Sequence, residues 1–440
     1  MQYITLHHFG PICDHERLPI EGFTVLTGPQ AQGKSTIAKA IFFFQTILQD
    51  FFEQLTQRKA DDVYRSSLQE SLNKRLRSKF LRIFGSSRAM PFDMKIIYQY
   101  SAQVAITMAN IGMDEGGRIR NFVNFQFSDG ILDFLAGYEN YEKIAWDGVR
   151  LKKVRDELTT LFGVKEKPIY IPAGRSMLAL LTAQLPVLYA DDTSRRAIDF
   201  CIYSYMAELL RLRQFFHGGL SGLLEDKLDL SQKKIDKQRF EQLMELAEKV
   251  LKGKYVYDDG EEIIIFKEKV RNTRTGQIGK RYINVDFASS GQQEAVWVFN
   301  LLGYYLLEKQ PVFLLVEEPE AHLYPDSQKY IAEALALFAG AGNRVMVTTH
   351  SPYILGEFNN LLYANEVQGR EEQRNKIVAA NKLLPHEHTQ AFYVKDGEVL
   401  PGMEEYQIMS SLIDGASREI NQEYERLIDM KWAMGTDHGN

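Results

Sequence analysis

The sequence predicts an α/β fold, a mixed β-sheet core with an inserted, mainly helical lobe. Three observations carry that prediction. Residues 291–358 alternate helix (291–308), strand (311–316), helix (326–339), strand (344–348) and helix (352–358), the order of parallel βα units. A short apolar run, FTVLT at 23–27, leads through a glycine-containing loop into the helical STIAKAIFFF. Between these regions, residues 177–252 read as mainly helical and interrupt the strand-rich pattern.

Residues 3–9 and 23–27 read as short strands, and a helix starts near Ser35. IAKAIFFFQTILQDFFEQL (37–55) reads as one buried amphipathic helix, because Lys39, Gln45, Gln49, Asp50 and Glu53 break its apolar run. Residues 57–82 are polar and rich in Arg and Lys, as in SLQESLNKRLRSKFLRIF; such a stretch is a solvated helix face or a patch for a partner or nucleic acid. Strand-like alternation returns in MKIIYQYSAQVAITMAN (94–110) and RNFVNFQFS (120–128), and KPIYIPAG (167–174) reads as a strand ending in a turn. After the helical block, EEIIIFKEK (261–269) and RYINVDF (281–287) read as strands joined by a hairpin through NTRTGQIG. The tail, EEYQIMSSLIDGASREINQEYERLIDMKW, reads as an amphipathic helix. The expected units are 1–176 and 256–400 as the two parts of the core, 177–255 as the helical insertion and 401–440 as the tail.

The composition narrows the classes. With 45% hydrophobic residues in 440, a sizeable core is expected and wholesale disorder is not. A net charge of -6 argues against a generally basic nucleic-acid coat and leaves only a local patch, for which Arg75, Arg77, Lys79 and Arg82 are the candidates. Two distant cysteines, Cys13 and Cys201, predict no disulfide framework and a reducing, cytoplasmic setting. The first residues lack a signal-peptide pattern, and no apolar run approaches the ~20 residues of a membrane helix, so no membrane partner is expected.

GPQAQGKST (28–36) fits the phosphate-loop pattern, with Gly28, Gly33, Lys34 and Ser35 at the defining positions and a strand before and a helix after it. Glycines let successive N–H groups curl around phosphate oxygens, and the helix N-terminus adds partial positive charge. Lys34 can reach the outer phosphates and the Ser35 hydroxyl can ligate Mg²⁺. FLLVEEPE (313–320) then delivers Glu317 and Glu318 at the end of an apolar strand, where open α/β sheets bind ligands. Neighbouring strand residues point to opposite faces, so one acid is assigned to the metal's water shell and the other to the attacking water. Ser290, Gly291 and Gln292 open a helix and form a second candidate anion site; alone, such a stretch is usually an N-cap. VMVTTHSPY (345–353) ends a strand in His350, placed to reach the γ-phosphate or the water.

The four pieces occur in the order GPQAQGKST, SSGQQE, FLLVEEPEAHLYP, TTHSPY. This resembles the ABC-type ATPase superfamily, in particular its soluble, SMC-like branch found in overcoming-lysogenization-defect (OLD) nucleases and many prokaryotic anti-phage systems. EEPEAHLYP followed by TTHSP is particular to that branch, as is a YIPAGRS-like segment before the helical insert. The resemblance covers about 1–60 and 165–400, and is weakest in 60–165 and 177–280.

The resemblance implies an ABC-type P-loop ATPase head that uses ATP and Mg²⁺. Gly28, Pro29, Gln30, Gln32, Gly33, Lys34, Ser35 and Thr36 would contact ATP as the Walker A loop; Ser35 and Glu317 would serve the metal. Glu318 becomes the catalytic carboxylate and His350 the switch histidine. Ser290, Gly291 and Gln292 match the signature motif, which in such ATPases binds the γ-phosphate held by the opposite subunit. Two departures stand out: glutamate replaces the metal-associated aspartate at 317, and SSGQQ lacks the leucine and second glycine of LSGGQ. Gln99, Gln103 and Gln126 are all open candidates for the Q-loop glutamine.

The implied unit is a homodimer with two ATPs between its subunits; relatives assemble further, which allows a hexamer, a trimer of dimers. OLD nucleases append a Toprim nuclease domain, for which only 90 residues remain after His350. The chain therefore resembles stand-alone ATPases of the PARIS anti-phage system, with Septu second, which act with a separate nuclease or toxin effector and a viral trigger protein. The competing expectation is a DNA-repair ATPase that clamps DNA.

Overall fold

The computed structural model describes residues 1–57, 67–110, 112–113, 119–120, 122–138, 147–175, 198–230, 235–271, 278–308, 310–409 and 415–436. Its strands are β1 (Tyr3–Phe9), β2 (Ile12–Pro19), β3 (Phe23–Thr27), β4 (Lys95–Gln99), β5 (Ala105–Ala109), β6 (Gly112–Met113), β7 (Ile119–Arg120), β8 (Asn124–Phe127), β9 (Lys167–Ile171), β10 (Gly253–Asp258), β11 (Glu261–Arg271), β12 (Ile278–Asn284), β13 (Val312–Glu317), β14 (Arg344–Thr349), β15 (Thr389–Lys395), β16 (Glu398–Pro401), β17 (Met403–Glu404) and β18 (Gln407–Ile408). The main helices are α1 (Lys34–Gln45), α2 (Ile47–Gln57), α3 (Leu68–Phe84), α4 (Asp129–Ala136), α5 (Gly148–Phe162), α6 (Phe200–Leu212), α7 (Gly219–Leu230), α8 (Lys237–Leu251), α9 (Ser290–Leu307), α10 (Pro325–Ala339), α11 (Pro352–Glu366) and α12 (Gly415–Thr436).

FTVLT, VFLLVE and RVMVTT are nearly unbroken apolar runs, the pattern of strands covered on both faces. They form the centre of a six-stranded sheet ordered β16-β15-β3-β14-β13-β9. Every pairing in it is parallel except β15 with β16. Side chains alternate between two cores. Val25, Ile169, Leu314, Val316, Val345 and Val347 face one, while Leu26, Tyr170, Phe313, Leu315 and Met346 face the other. A second, antiparallel sheet, β2-β1-β4-β5-β8, lies across the latter core. Helix α1 sits between the two sheets: Phe42 packs on Tyr170 of β9, Phe43 on Phe125 of β8, and Phe44 stacks on Tyr98 of β4. The chain is thus an α/β fold with mixed sheets, as the sequence predicts.

Several expectations need correction. The single helix expected at 37–55 is two, because Thr46 turns its hydroxyl back onto the carbonyls of Phe42 (3.0 Å) and Phe43 (2.8 Å) at the break. The boundary at 255 cuts β10, which pairs with β11 from Gly253 opposite Phe266 to Asp258 opposite Glu261. The boundary at 400 likewise falls inside β16. In the described part of the insertion, Tyr205, Leu209, Leu243 and Leu246 share one core with Val25 and Leu314, so α6 and α8 cover the face of the parallel sheet opposite α1. Residues 177–197 lie outside the described residues. The hairpin expected around NTRTGQIG has its flanking strands, β11 and β12, paired antiparallel; 272–277 lie outside the described residues. Of the tail, 401–409 are not helical and Gly415–Thr436 is, while 410–414 lie outside the described residues.

Candidate active site

The phosphate loop follows β3 and runs into α1. Gly33 is the helix N-cap at φ 106°, and a Cβ there would stand 2.8 Å from Pro11 and Ile12, so the left-handed turn admits only glycine. No side chain caps α1 and no acid occupies its first turn, which leaves the positive end of the helix to a ligand. Lys34 is buried, and its ammonium donates to the carbonyls of Gly28 (2.8 Å) and Pro29 (2.6 Å). Burial lowers its pKa, opposed by the nearby Glu318 and Glu320 carboxylates. Pro29 and Gln30 are exposed, and Ser35 and Thr36 are half-buried on the first turn. Gln32 accepts from the Asp396 N–H at 2.6 Å, tying the loop to the turn between β15 and β16.

The acids at the end of β13 occupy three environments. Glu317 is buried; its carboxylate accepts from the Tyr170 hydroxyl (2.5 Å) and the Ala173 N–H (3.1 Å) and so faces the end of β9. Glu318 turns the chain at φ +40°, rare for a residue with a Cβ, and its carboxylate lies 3.7 Å from His350 Nδ1. That imidazole holds the Glu318 carboxyl below the usual carboxylate range, with burial opposing. Glu318 in turn raises the His350 pKa, again against burial. Glu320 is buried; its Oε1 accepts from the Thr349 hydroxyl (2.6 Å) and the His350 N–H (3.0 Å), and burial pushes its carboxyl up.

Ser290, Gly291 and Gln292 do open a helix, α9, but Ser289 is its N-cap, accepting from the Gln292 N–H, and Gln292 closes a capping box by accepting from the Ser289 N–H at 3.2 Å. The Gln292 amide also donates to the Leu251 carbonyl at 2.7 Å. Local capping engages the Gln292 side chain here, and Ser290 is exposed at the helix start.

The structure gathers Lys34, Glu318 and His350 at the C-terminal ends of β3, β13 and β14, with Glu317 alongside. Sequence reasoning missed Glu320, and it missed Arg175, a fully buried guanidinium bonded to the carbonyls of Glu317 (2.7 Å) and Glu318 (3.1 Å). The signal for Arg175 was the YIPAGRS segment, noted only as a resemblance. Among the Q-loop candidates, Gln99 donates to the Ser101 carbonyl, the Gln103 carbonyl accepts from Ser128, and Gln126 faces α3 across a polar groove.

The four basic side chains that a DNA clamp would need at 75–82 are engaged within the chain. Arg75 pairs with Asp50 (2.9 Å) and Glu53, and Lys79 is buried against Asp50 (2.5 Å). Arg77 donates to the Val123 carbonyl at 2.7 Å and covers the Phe122 ring, while Arg82 reaches the Ile198 carbonyl. Asp50 and Glu53 of α2 draw in Arg75 and Lys79, while backbone carbonyls hold Arg77 and Arg82.

Among the described residues, no group of three or more His, Cys, Asp or Glu is arranged to hold a metal by itself. The residues nevertheless fit Mg²⁺ brought with a nucleotide: the Ser35 hydroxyl lies on the first turn, and Glu317 keeps unused lone pairs for a hydrated cation. No described helix is long and apolar enough to cross a membrane.

Residues 221–355 match the family model described as AAA ATPase domain. That stretch contains Ser290, Glu317, Glu318 and His350, while the phosphate loop precedes it. No curated protein matches the chain. Among solved structures, an SMC head from Pyrococcus furiosus, with an extended coiled coil and bound to the C-terminal domain of ScpA, is 14% identical over 91% of this chain and 96% of that one, with TM-score 0.35. The SMC head domain from Thermotoga maritima is 12% identical over 92% and 98%, TM-score 0.34. The ATP-binding cassette MJ0796, a dimer bound to ADP and Pi, is 13% identical over 90% and 96%, TM-score 0.30. These are distant likenesses, and function has to be read from the residues.

Proposed function

We propose that the chain binds and hydrolyses ATP as the ABC-type ATPase subunit of an anti-phage defence complex. The observation that carries the ATPase part is the meeting of Lys34, Glu318 and His350 at the mouth of an uncapped helix. Lys34 leaves the Gly28 and Pro29 carbonyls and turns onto the outer phosphates. Ser35 and Glu317 would hold Mg²⁺, Glu318 would orient the attacking water, and His350 would steady Glu318 and the γ-phosphate. When bound, Mg²⁺ would supply positive charge that offsets the negative charge of the transferring phosphate.

Two copies pair with ATP between them, each offering Ser290 to the other's nucleotide; a hexamer would be a trimer of such dimers. The motif resemblance to OLD-like ATPases supports the further reading that the assembly, as in AriA of PARIS or, second, PtuA of Septu, holds a separate nuclease or toxin effector and releases or activates it on meeting a viral protein. The DNA-clamp reading has less support, because Arg75, Arg77, Lys79 and Arg82 are engaged within the chain.

The test compares three proteins. Wild type is expected to bind and turn over ATP, Lys34→Ala to lose binding, and Glu318→Gln to bind while losing about 10²–10⁴-fold in turnover. Unchanged affinity in Lys34→Ala, or retained hydrolysis in Glu318→Gln, would sink the assignment. A pull-down with Glu318→Gln, ATP and Mg²⁺ then reads the partner: a stoichiometric small protein supports the defence complex, and salt-sensitive DNA alone overturns it.

A further inference from the structure

Arg175 is among the largest fully buried side chains among the described residues, with 1% of its side chain exposed. A buried guanidinium is costly unless its charge is paired, and the two terminal nitrogens of Arg175 carry its contacts. One terminal nitrogen donates to the carbonyls of Pro172 (2.8 Å) and Glu317 (2.7 Å). The other donates to the Glu318 carbonyl at 3.1 Å and pairs with Glu294 Oε2 at 3.1 Å. Glu294 is itself 1% exposed and lies one helical turn into α9, four residues after Ser290. Its other oxygen meets His322 Nδ1 at 3.0 Å. The backbone closes the same joint: a Cβ on Gly291 would stand 2.6 Å from the His322 carbonyl, so only glycine lets the start of α9 sit against the turn that follows β13.

Two places that the proposed function uses separately are therefore one rigid piece within a subunit. The start of α9 would meet the partner's nucleotide; the Glu317–Glu318 peptides carry the acids that would act on the subunit's own. Glu318 also holds an unfavourable positive φ, which persists only where the surroundings fix it, and Arg175 holds the carbonyls on both sides of that residue's N–H.

We propose that Arg175 and Glu294 are positioning residues that join the start of α9 to the catalytic carboxylate, so that seating of a partner's nucleotide at Ser290 sets the geometry of Glu318 in the same subunit. The inference rests on the ATPase reading above. Arg175 touches no substrate; it acts through the peptide that carries Glu318. Lysine cannot replace it, because an ammonium lacks the planar fork that reaches three carbonyls and a carboxylate together.

The test uses the full chain and the variants Glu294→Gln, Arg175→Lys and their combination, with ATP affinity, kcat and melting temperature measured for each. Glu294→Gln keeps the shape and removes the charge, so it is the variant expected to fold. It is expected to bind ATP within about twofold of wild type and to lose about 10–100-fold in kcat, the range for partners that orient a reactive group. Arg175→Lys should lose at least as much, and the double variant no more than Arg175→Lys alone, since both residues belong to one unit. The bridge is overturned if Glu294→Gln turns over ATP like wild type. It is equally overturned if the loss of kcat comes with a parallel loss of ATP affinity and melting temperature, the mark of a merely structural pair. Wild type that fails to bind ATP would instead overturn the ATPase reading.

Discussion

At the scale of single residues, the run EEPE shows how position at a strand end divides three glutamates among different tasks. Glu317 is held by Tyr170, Glu318 faces His350, and Glu320 supports the His350 backbone. Removing the Glu320 carboxyl should leave the Thr349 hydroxyl and the His350 N–H without their acceptor. Glu320→Ala is expected to destabilise the protein by on the order of 1–3 kcal/mol in chemical denaturation, whereas Glu320→Gln, which keeps an acceptor oxygen and needs no buried charge, should lose less. The Glu318–His350 pair predicts a pH signature. The His350 pKa is raised above its ordinary 6.5, so its stabilising share is complete below 6.5 and is lost as pH rises through the raised value. The Glu318 share is complete above 4.5 and is lost as pH falls through its lowered value. Melting temperatures of wild type should therefore fall relative to His350→Ala as pH rises from 6.5; parallel curves would refute the pairing. Lys34, Glu318 and His350 were legible because each stands in a motif with a defined chemistry. Arg175 and Glu320 were not, because their partners are mostly backbone groups far away in the chain; Glu317, whose carbonyl Arg175 holds, is 142 residues on.

At the scale of elements, local rules fixed some pieces and left others hidden. β3, β13 and β14 were legible as unbroken apolar runs. β2, ICDHERLP, was not: it is an edge strand whose outward side chains are charged, so its composition reads as a loop. The break between α1 and α2 rests on one hydroxyl, that of Thr46, inside a helical periodicity that otherwise continues. The start of α9 offers a direct test. Ser289→Ala removes one half of the capping box and is expected to lower stability by about 1 kcal/mol, read from denaturant midpoints. Ser290→Ala, beside it and outside the cap, should leave stability unchanged; a reversed order would move the cap.

At the scale of the whole molecule, the proposed pairing puts Ser290 of one copy against the nucleotide of another. Ser290→Arg is expected to remain a folded monomer with ATP and Mg²⁺ under conditions where Glu318→Gln doubles its mass by light scattering; equal masses would refute the arrangement. The order of the parallel sheet was only half legible. Alternating βα units predicted parallel strands, yet nothing in the sequence showed that β15 would lie beside β3, because that choice is made by packing across the entire chain.

That placement also governs how the protein can be made. β3, which launches the phosphate loop, has both of its neighbours, β14 and β15, near the other end of the chain. On a ribosome adding ~5–20 residues per second, the roughly 370 residues between Thr27 and Lys395 separate the birth of this strand from that of its last neighbour by about 20 to 70 seconds. Until β14 is made both edges of this apolar strand are open, and until β15 is made one still is, so it must be kept from pairing with nascent neighbours. A message truncated before codon 389 would release a chain in which one of those edges never closes, and such fragments are expected to enter the insoluble fraction of the cell.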